Sequence, residues 1–263
     1  MCELTTAHPE VWKNISAQLM TIVNKVAGHK DFEEGTRSAA IELALSLAEQ
    51  MPSALRKSAD ATKSFVATLF GMLMEVEEDE GIWAETVEDA DKLSTDPVST
   101  ASSAISRLAE AIGEKTTIAI CQPIILENVS HDIWANKFAA LTLFGLITQT
   151  CADSYENNLQ SAMQTASKGV KDGDARVRYA AFGALSSLMT YLAPVAQIEF
   201  HGELVPEIAK HMANEPLLKM QAQATNAMLA MCSGLAHDDE EDEDDGKNVN
   251  GQKIMQQYAA DTL

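Results

Sequence analysis

Aromatic side chains are scarce in this chain of 263 residues, at 5%, while the hydrophobic share reaches 46%. The apolar content is therefore mostly Ala, Leu, Ile, Val and Met, a mix that favours helices packed closely through small and flexible side chains. Segments alternating apolar and polar residues between glycine turns are missing, which argues against a strand-rich fold. No apolar run approaches the roughly 18 residues of a membrane-spanning helix, and no membrane insertion is expected.

Cationic residues are also in short supply. Lys and Arg number 19 against 39 Asp and Glu, for a net charge of −20. Arginine occurs only as Arg37, Arg56, Arg107, Arg176 and Arg178. Such an acidic chain repels phosphate backbones, which argues against nucleic acid as a direct partner. Two stretches hold much of the excess, residues 75–91 and 238–245. Each is either a solubilising disordered loop or a surface that attracts basic polypeptides.

Cysteine is limited to Cys2, Cys121, Cys151 and Cys232, with no CxxC pair. Without a signal peptide after Met1, these read as reduced intracellular thiols, which places the chain in the cytoplasm or nucleus. Enzyme signatures are lacking too. GxGxxG, P-loop, HExxH and GxSxG motifs do not occur, and the histidines have no cysteine at ligand spacing. The expectation is a non-enzyme with neither cofactor nor metal.

What is present is helical periodicity. Ile15, Leu19, Ile22, Val23 and Val26 recur at spacings of three and four and line one helix face. Similar patterns, broken at Pro and Gly, predict helices over 9–27, 34–50, 58–76, 98–112, 115–129, 132–151, 155–171, 174–192, 198–213 and 216–235.

The second helix of each pair repeats a pattern. Arg178, Ala181, Ala184, Leu185 and Leu188 place a cation at the helix start and a small, close-packing stripe behind it. Lys137 with Ala140, Leu143, Phe144 and Ile147 repeats this, as do Arg37 with Ala40, Leu43, Ala44 and Leu47, and Gln221 with Ala224, Ala227, Met228 and Met231. A weaker copy starts at Ala101. Steps of 36, 41 and 43 residues separate the last four copies, in or near the range of HEAT and armadillo arrays. The longer step of 64 from Arg37 to Ala101 is explained by an acidic insertion between the two helices of one repeat.

Asp31 and Asp172 each precede an arginine by six residues, the spacing of the turn aspartate and helix-start arginine of HEAT repeats. An acid there is favoured by the helix dipole, and the arginine is expected to satisfy that acid and a carbonyl of the next hairpin. The other strong copies depart from this pattern, with His131 before Lys137 and Glu215 before Gln221, so the expected ladder is incomplete there. Arg178 reads as structural and Arg176 as exposed.

The predicted architecture is all-α, a HEAT-repeat α-solenoid of about five antiparallel helix pairs in a right-handed superhelix. The array should cover residues 1–236, with an acidic inserted loop at 77–97. An acidic, disordered tail with room for a short helix should follow at 237–263.

Two unlike motifs carry a resemblance. The stretch "DARVRYAAFGALSSLMTYLAPVAQIEFHGELVPEIAKHM" resembles a repeat of the karyopherin-β (importin-β) family, in which a VRYAA helix leads to an Ala-Pro turn and a Phe-His opening the next repeat. Here these are Val177 to Ala181, Ala193-Pro194 and Phe200-His201. The earlier "GMLMEVEEDEGIWAE" is similar to that family's acidic, tryptophan-containing loop. Order and separation agree, and the similarity runs from about residue 9 to 235.

The resemblance implies a segment of a nuclear transport receptor that binds basic cargo and shuttles between cytoplasm and nucleus through nuclear pores. Cargo would carry basic localisation signals or be of histone or ribosomal type, with Ran-GTP and nucleoporins as further partners. The alternative is a HEAT-repeat scaffold that joins other proteins without a transport role. The cargo-binding candidates are Glu77, Glu78, Asp79, Glu80 and Trp83 in the acidic loop, and polar positions on second helices, namely Asn136, Thr142, Gln223 and Asn226. Acids beside an exposed aromatic meet Lys or Arg by charge and by cation–π contact, whereas a buried Trp83 would simply pin the loop onto a repeat. The second-helix residues read either as contacts for an extended peptide or as ordinary solvated positions.

Overall fold

The computed structural model describes Trp12, residues 15–86 and 96–236, and residues 251, 253, 254 and 256–258. These fall into two compact units, divided after Cys151. Among the described residues the regular structure is helical, with no strand.

The first unit contains α1 (Ser16–Ala27), α2 (Glu34–Gln50), α3 (Pro52–Lys57), α4 (Ala59–Leu73), α5 (Glu80–Glu85), α6 (Pro97–Ile112), α7 (Glu114–Asn128) and α8 (Trp134–Ile147). Helices α1 and α2, α4 and α6, and α7 and α8 form hairpins. The first members, α1, α4 and α7, are neighbours in one layer, and α2, α6 and α8 are neighbours in the other. Hydrophobic faces meet between the layers, where Leu45, Leu47, Phe65, Leu69, Leu108 and Phe144 are buried. Each such side chain contributes about 2 kcal/mol by leaving water.

The second unit contains α9 (Ala152–Glu156), α10 (Leu159–Ser167), α11 (Ala175–Tyr191), α12 (Val195–Asn214) and α13 (Leu218–Ala236). Helix α10 pairs with α11 and α12 with α13, while α11 packs along α13. The small stripe seen in the sequence is the contact surface: Ala181, Ala184, Leu185 and Leu188 are buried in α11, as are Ala224, Ala227 and Met231 in α13. Alanine at these positions lets helix axes approach closely.

Helix 34–50 has the bounds its periodicity predicts. Three departures have local causes. Helix α3 was not expected and starts on Pro52, whose fixed φ and missing donor suit a first helical position. The helix expected over 155–171 divides at Asn157 and Asn158, whose amides donate back to the carbonyls of Asp153 and Ser154. Helix α12 begins at Val195 rather than 198, directly after Pro194.

Helices α7 and α12 each carry an interior proline, Pro123 and Pro206. Each proline lacks the N–H that would bond the carbonyl four residues earlier, on Ala119 and Gly202. Both of those residues are exposed.

Candidate interaction surfaces

The sequence singles out Arg37 and Arg178, and the structure gives both the same task with roles reversed from the expectation. Arg178 Nη1 donates to the Asp172 and Gly173 carbonyls of its own turn at 2.9 and 3.1 Å. Its Nε and Nη2 then clasp Glu215, at the turn of the following hairpin, at 2.8 Å each. Arg37 likewise donates to the Ala27 carbonyl at 2.8 Å and clasps Glu75 through both terminal nitrogens at 2.8 Å. Gln221 has the same helix-start position and donates to the Glu215 carbonyl at 2.8 Å.

The carbonyl thus comes from the arginine's own turn and the carboxylate from the next, the inverse of the expected arrangement. Asp31 does not receive Arg37; its carboxylate is 93% exposed and 3.8 Å from His29. The Asp172 carboxylate instead accepts from the Asp174 N–H, shaping the turn that leads into α11.

Arg176 is a second correction. It is buried, not exposed, and pairs with Asp174 at 2.7 Å. Asp174 is also the N-cap of α11, accepting from the Arg176 N–H. The dipeptide spacing lets one carboxylate close the helix end and neutralise the guanidinium beside it.

The second-unit network extends through α12. His211 Nδ1 lies 2.7 Å from Glu215 and Nε2 3.2 Å from Glu207, with Lys171 and Lys210 each 3.5 Å from Glu207. Burial disfavours the Glu215 carboxylate, but hydrogen bonds from Arg178 and His211 outweigh it and hold its pKa below the usual range. Glu207 is likewise lowered, with Lys171 and Lys210 overcoming its burial. For Asp174, Arg176 overcomes burial in the same direction.

In the acidic loop, Glu77 accepts from the Asp79 N–H, and Asp79 accepts from the Ile82 N–H as the N-cap of α5. Glu80 occupies the first turn of α5, where the helix dipole favours it. All four acids, Glu77, Glu78, Asp79 and Glu80, are exposed. Trp83 is only 6% exposed, so it anchors the loop; an exposed ring for cation–π contact is not what the structure contains. Glu75, at the front of the same acidic stretch, is spent on Arg37. Residues 87–95 of the expected insertion, and 237–250 of the expected acidic tail, lie outside the described residues.

The second-helix candidates are separate positions and do not form one cluster. Asn136 and Thr142 are half-buried on α8, and the Asn136 amide donates to Asn128 Oδ1 at 2.8 Å. On α13, Asn226 is exposed and Gln223 is half-buried beside Gly183 of α11. Sequence reasoning missed the pairing of Arg107 with Glu42 and Glu49, at 2.8 Å each, which joins α6 to α2. Its signal was weak, because Arg107 lies mid-helix, outside the helix-start position used to align the copies.

Burial pushes the Cys121 thiol up to about 12, and Cys151 rises equally through burial and the nearby Cys121 and Glu114. Among the described residues no group of His, Cys, Asp and Glu could hold a metal ion, and no helix is long and apolar enough to cross a membrane.

Paired helices in two layers, a repeated small-residue stripe and a guanidinium-to-carboxylate link between successive turns define a HEAT-repeat protein. Residues 29–119 match the importin repeat family model. Importin subunit beta-3 of Saccharomyces cerevisiae is 22% identical over 231 residues, covering 87% of this chain and 21% of that protein. Kap121p bound to RanGTP has a similar fold, with a TM-score of 0.84 and 20% identity over 98% of this chain and 24% of that one. Kap121p bound to Pho4p gives 0.81 and 22%, over 88% of this chain and 23% of that one. The chain is thus similar to part of a karyopherin-β (importin-β) protein and spans about a fifth of the curated relative's length.

Proposed function

We propose that this chain acts as part of a nuclear transport receptor, binding basic polypeptide cargo for import into the nucleus and moving between cytoplasm and nucleus through the pore. The observation carrying this reading is the likeness to importin subunit beta-3 along 87% of the chain. Structures of Kap121p bound to Cdc14p, to Nup53p and to RanGTP support the choice of cargo, nucleoporin and Ran-GTP as partners here. The reading is of a binding protein and includes no catalytic step.

A net charge of −20 favours basic cargo, such as lysine-rich localisation signals or histone- and ribosomal-type proteins. Glu77, Glu78, Asp79 and Glu80 supply exposed charge on a loop anchored through Trp83. Asn136, Thr142, Gln223 and Asn226 offer amide and hydroxyl groups on second helices, suited to an extended backbone. The test is capture of a lysine-rich localisation peptide at low and high salt, with and without Ran-GTP. Salt-sensitive capture that Ran-GTP releases supports the proposal, and absence of capture at low salt overturns it.

A further inference from the structure

A groove of about 770 Å³ lies between α1 and α4, the first helices of two successive hairpins. Its chemistry is opposite to that of the chain as a whole. Lys25 and Lys57 line it against a single acid, Asp60, in a chain with twice as many acids as bases. Neither lysine has an ion-pair partner among the described residues. The walls are otherwise small: Ala17, Ala61 and Ser64 leave the backbone approachable.

A further feature favours an anion. Ser58 makes no side-chain cap at the start of α4, so the positive end of that helix adds to the two lysines.

The lysines mark opposite ends of the groove. A Cβ placed on Gly28, just past α1, would stand 3.5 Å from Thr68 in the later half of α4. Lys25 is in that last turn of α1, whereas Lys57 ends α3, two residues before α4 begins. From Ala17 to Lys25 the helix rises about 12 Å, the span of about four residues of extended chain.

We infer that the α1–α4 groove binds a short, extended acidic peptide segment of a partner protein. Carboxylates near its two ends meet Lys25 and Lys57. Because the rest of the chain repels acids, binding of an acidic peptide must be local. This inference concerns ligands of opposite charge to the basic cargo proposed above, so either reading can fail without the other.

The experiment titrates the full chain into a fluorescein-labelled peptide of alternating Asp, Glu and Ser at low ionic strength, read by anisotropy. Saturable binding is expected, weakened about tenfold by the double substitution K25E/K57E and unchanged by K115E/K168E, a charge-matched double change outside the groove. The inference is overturned if wild type shows no saturable binding or if K25E/K57E binds as well as wild type. Binding that appears only once residues 238–245 are deleted would identify the chain's own acidic run as the occupant and also overturn it.

Discussion

Arg178 and Glu215 stand 37 residues apart in sequence and meet through two 2.8 Å hydrogen bonds from Nε and Nη2, and Arg37 meets Glu75 across 38 residues through two of the same length from Nη1 and Nη2. Each pair joins the start of one second helix to the turn region of the next hairpin, one pair in each compact unit. A bidentate guanidinium–carboxylate link fixes orientation as well as distance, so it sets how one hairpin sits on its neighbour.

Arg178→Met should therefore lower stability by about 3 kcal/mol, since it leaves Glu215, with 5% side-chain exposure, without its guanidinium. A double-mutant cycle with Glu215→Gln, followed by chemical denaturation, should give a coupling above about 1 kcal/mol. The corresponding cycle for Arg107 and Glu42 should give well under about 1 kcal/mol, because those side chains are 36% and 53% exposed. Equal couplings in the two cycles would refute the assignment of the first as the structural link.

Stability should fall on acidification. Glu215, Glu207 and Asp174 all titrate below their ordinary values in the folded chain. Groups with depressed folded pKa values stabilise fully above the unfolded values, 4.5 for Glu and 3.8 for Asp, and lose that stabilisation as pH drops through the folded ones. Denaturation midpoints should thus hold above about pH 5 and drop below it, and Arg178→Met should flatten that drop. An unchanged slope in the variant would show that Arg178 is not its source.

Gly234→Ala should destabilise by about 2 kcal/mol. A methyl there would collide with the amide of Gln197, which is fully buried and donates to the carbonyls of Met189 and Ala230. Gly183→Ala, whose nearest neighbour is the half-buried Gln223 amide at 3.2 Å, should stay within about 0.5 kcal/mol because that side chain has room to move. Thermal melts of the two variants separate the cases.

The thiols give a chemical test. With pKa values raised to about 12, Cys121 and Cys151 should resist alkylation in the native chain, while the half-buried Cys232 reacts first of the three. Peptide mapping after a short iodoacetamide pulse reads this directly. Early labelling of Cys121 or Cys151 would mean that the first unit opens far more readily than its packing suggests.

Much of the fold was legible because one signal, the small-residue stripe, has a single structural use. Ala181, Ala184 and Leu188 must face another helix, and their recurrence fixes the pairing of hairpins. The partners of the arginines were harder to read. Asp31 and Asp172 have the expected spacing, but a guanidinium can reach carbonyls in its own turn and a carboxylate from the following hairpin, and sequence spacing sees only the nearby acid. Glu215 was visible at its position yet looked like a departure from the pattern, when it is the acid that completes the link to Arg178. Trp83 was ambiguous for another reason. Acidic neighbours suggest exposure, and only the packing of α5 shows the ring turned inward. For Asn136, Thr142, Gln223 and Asn226, helical position alone gives no measure of partner contact.

Pro123 and Pro206 carry a mechanical consequence. Each opens one rung of a helix hydrogen-bond ladder at a carbonyl of an exposed residue, Ala119 or Gly202. Bending at these two points breaks no existing backbone bond, so α7 and α12 are compliant where the other long helices are stiff. A hairpin built on such a helix can yield to the contour of a bound molecule while its carboxylate clasps and alanine stripes stay closed.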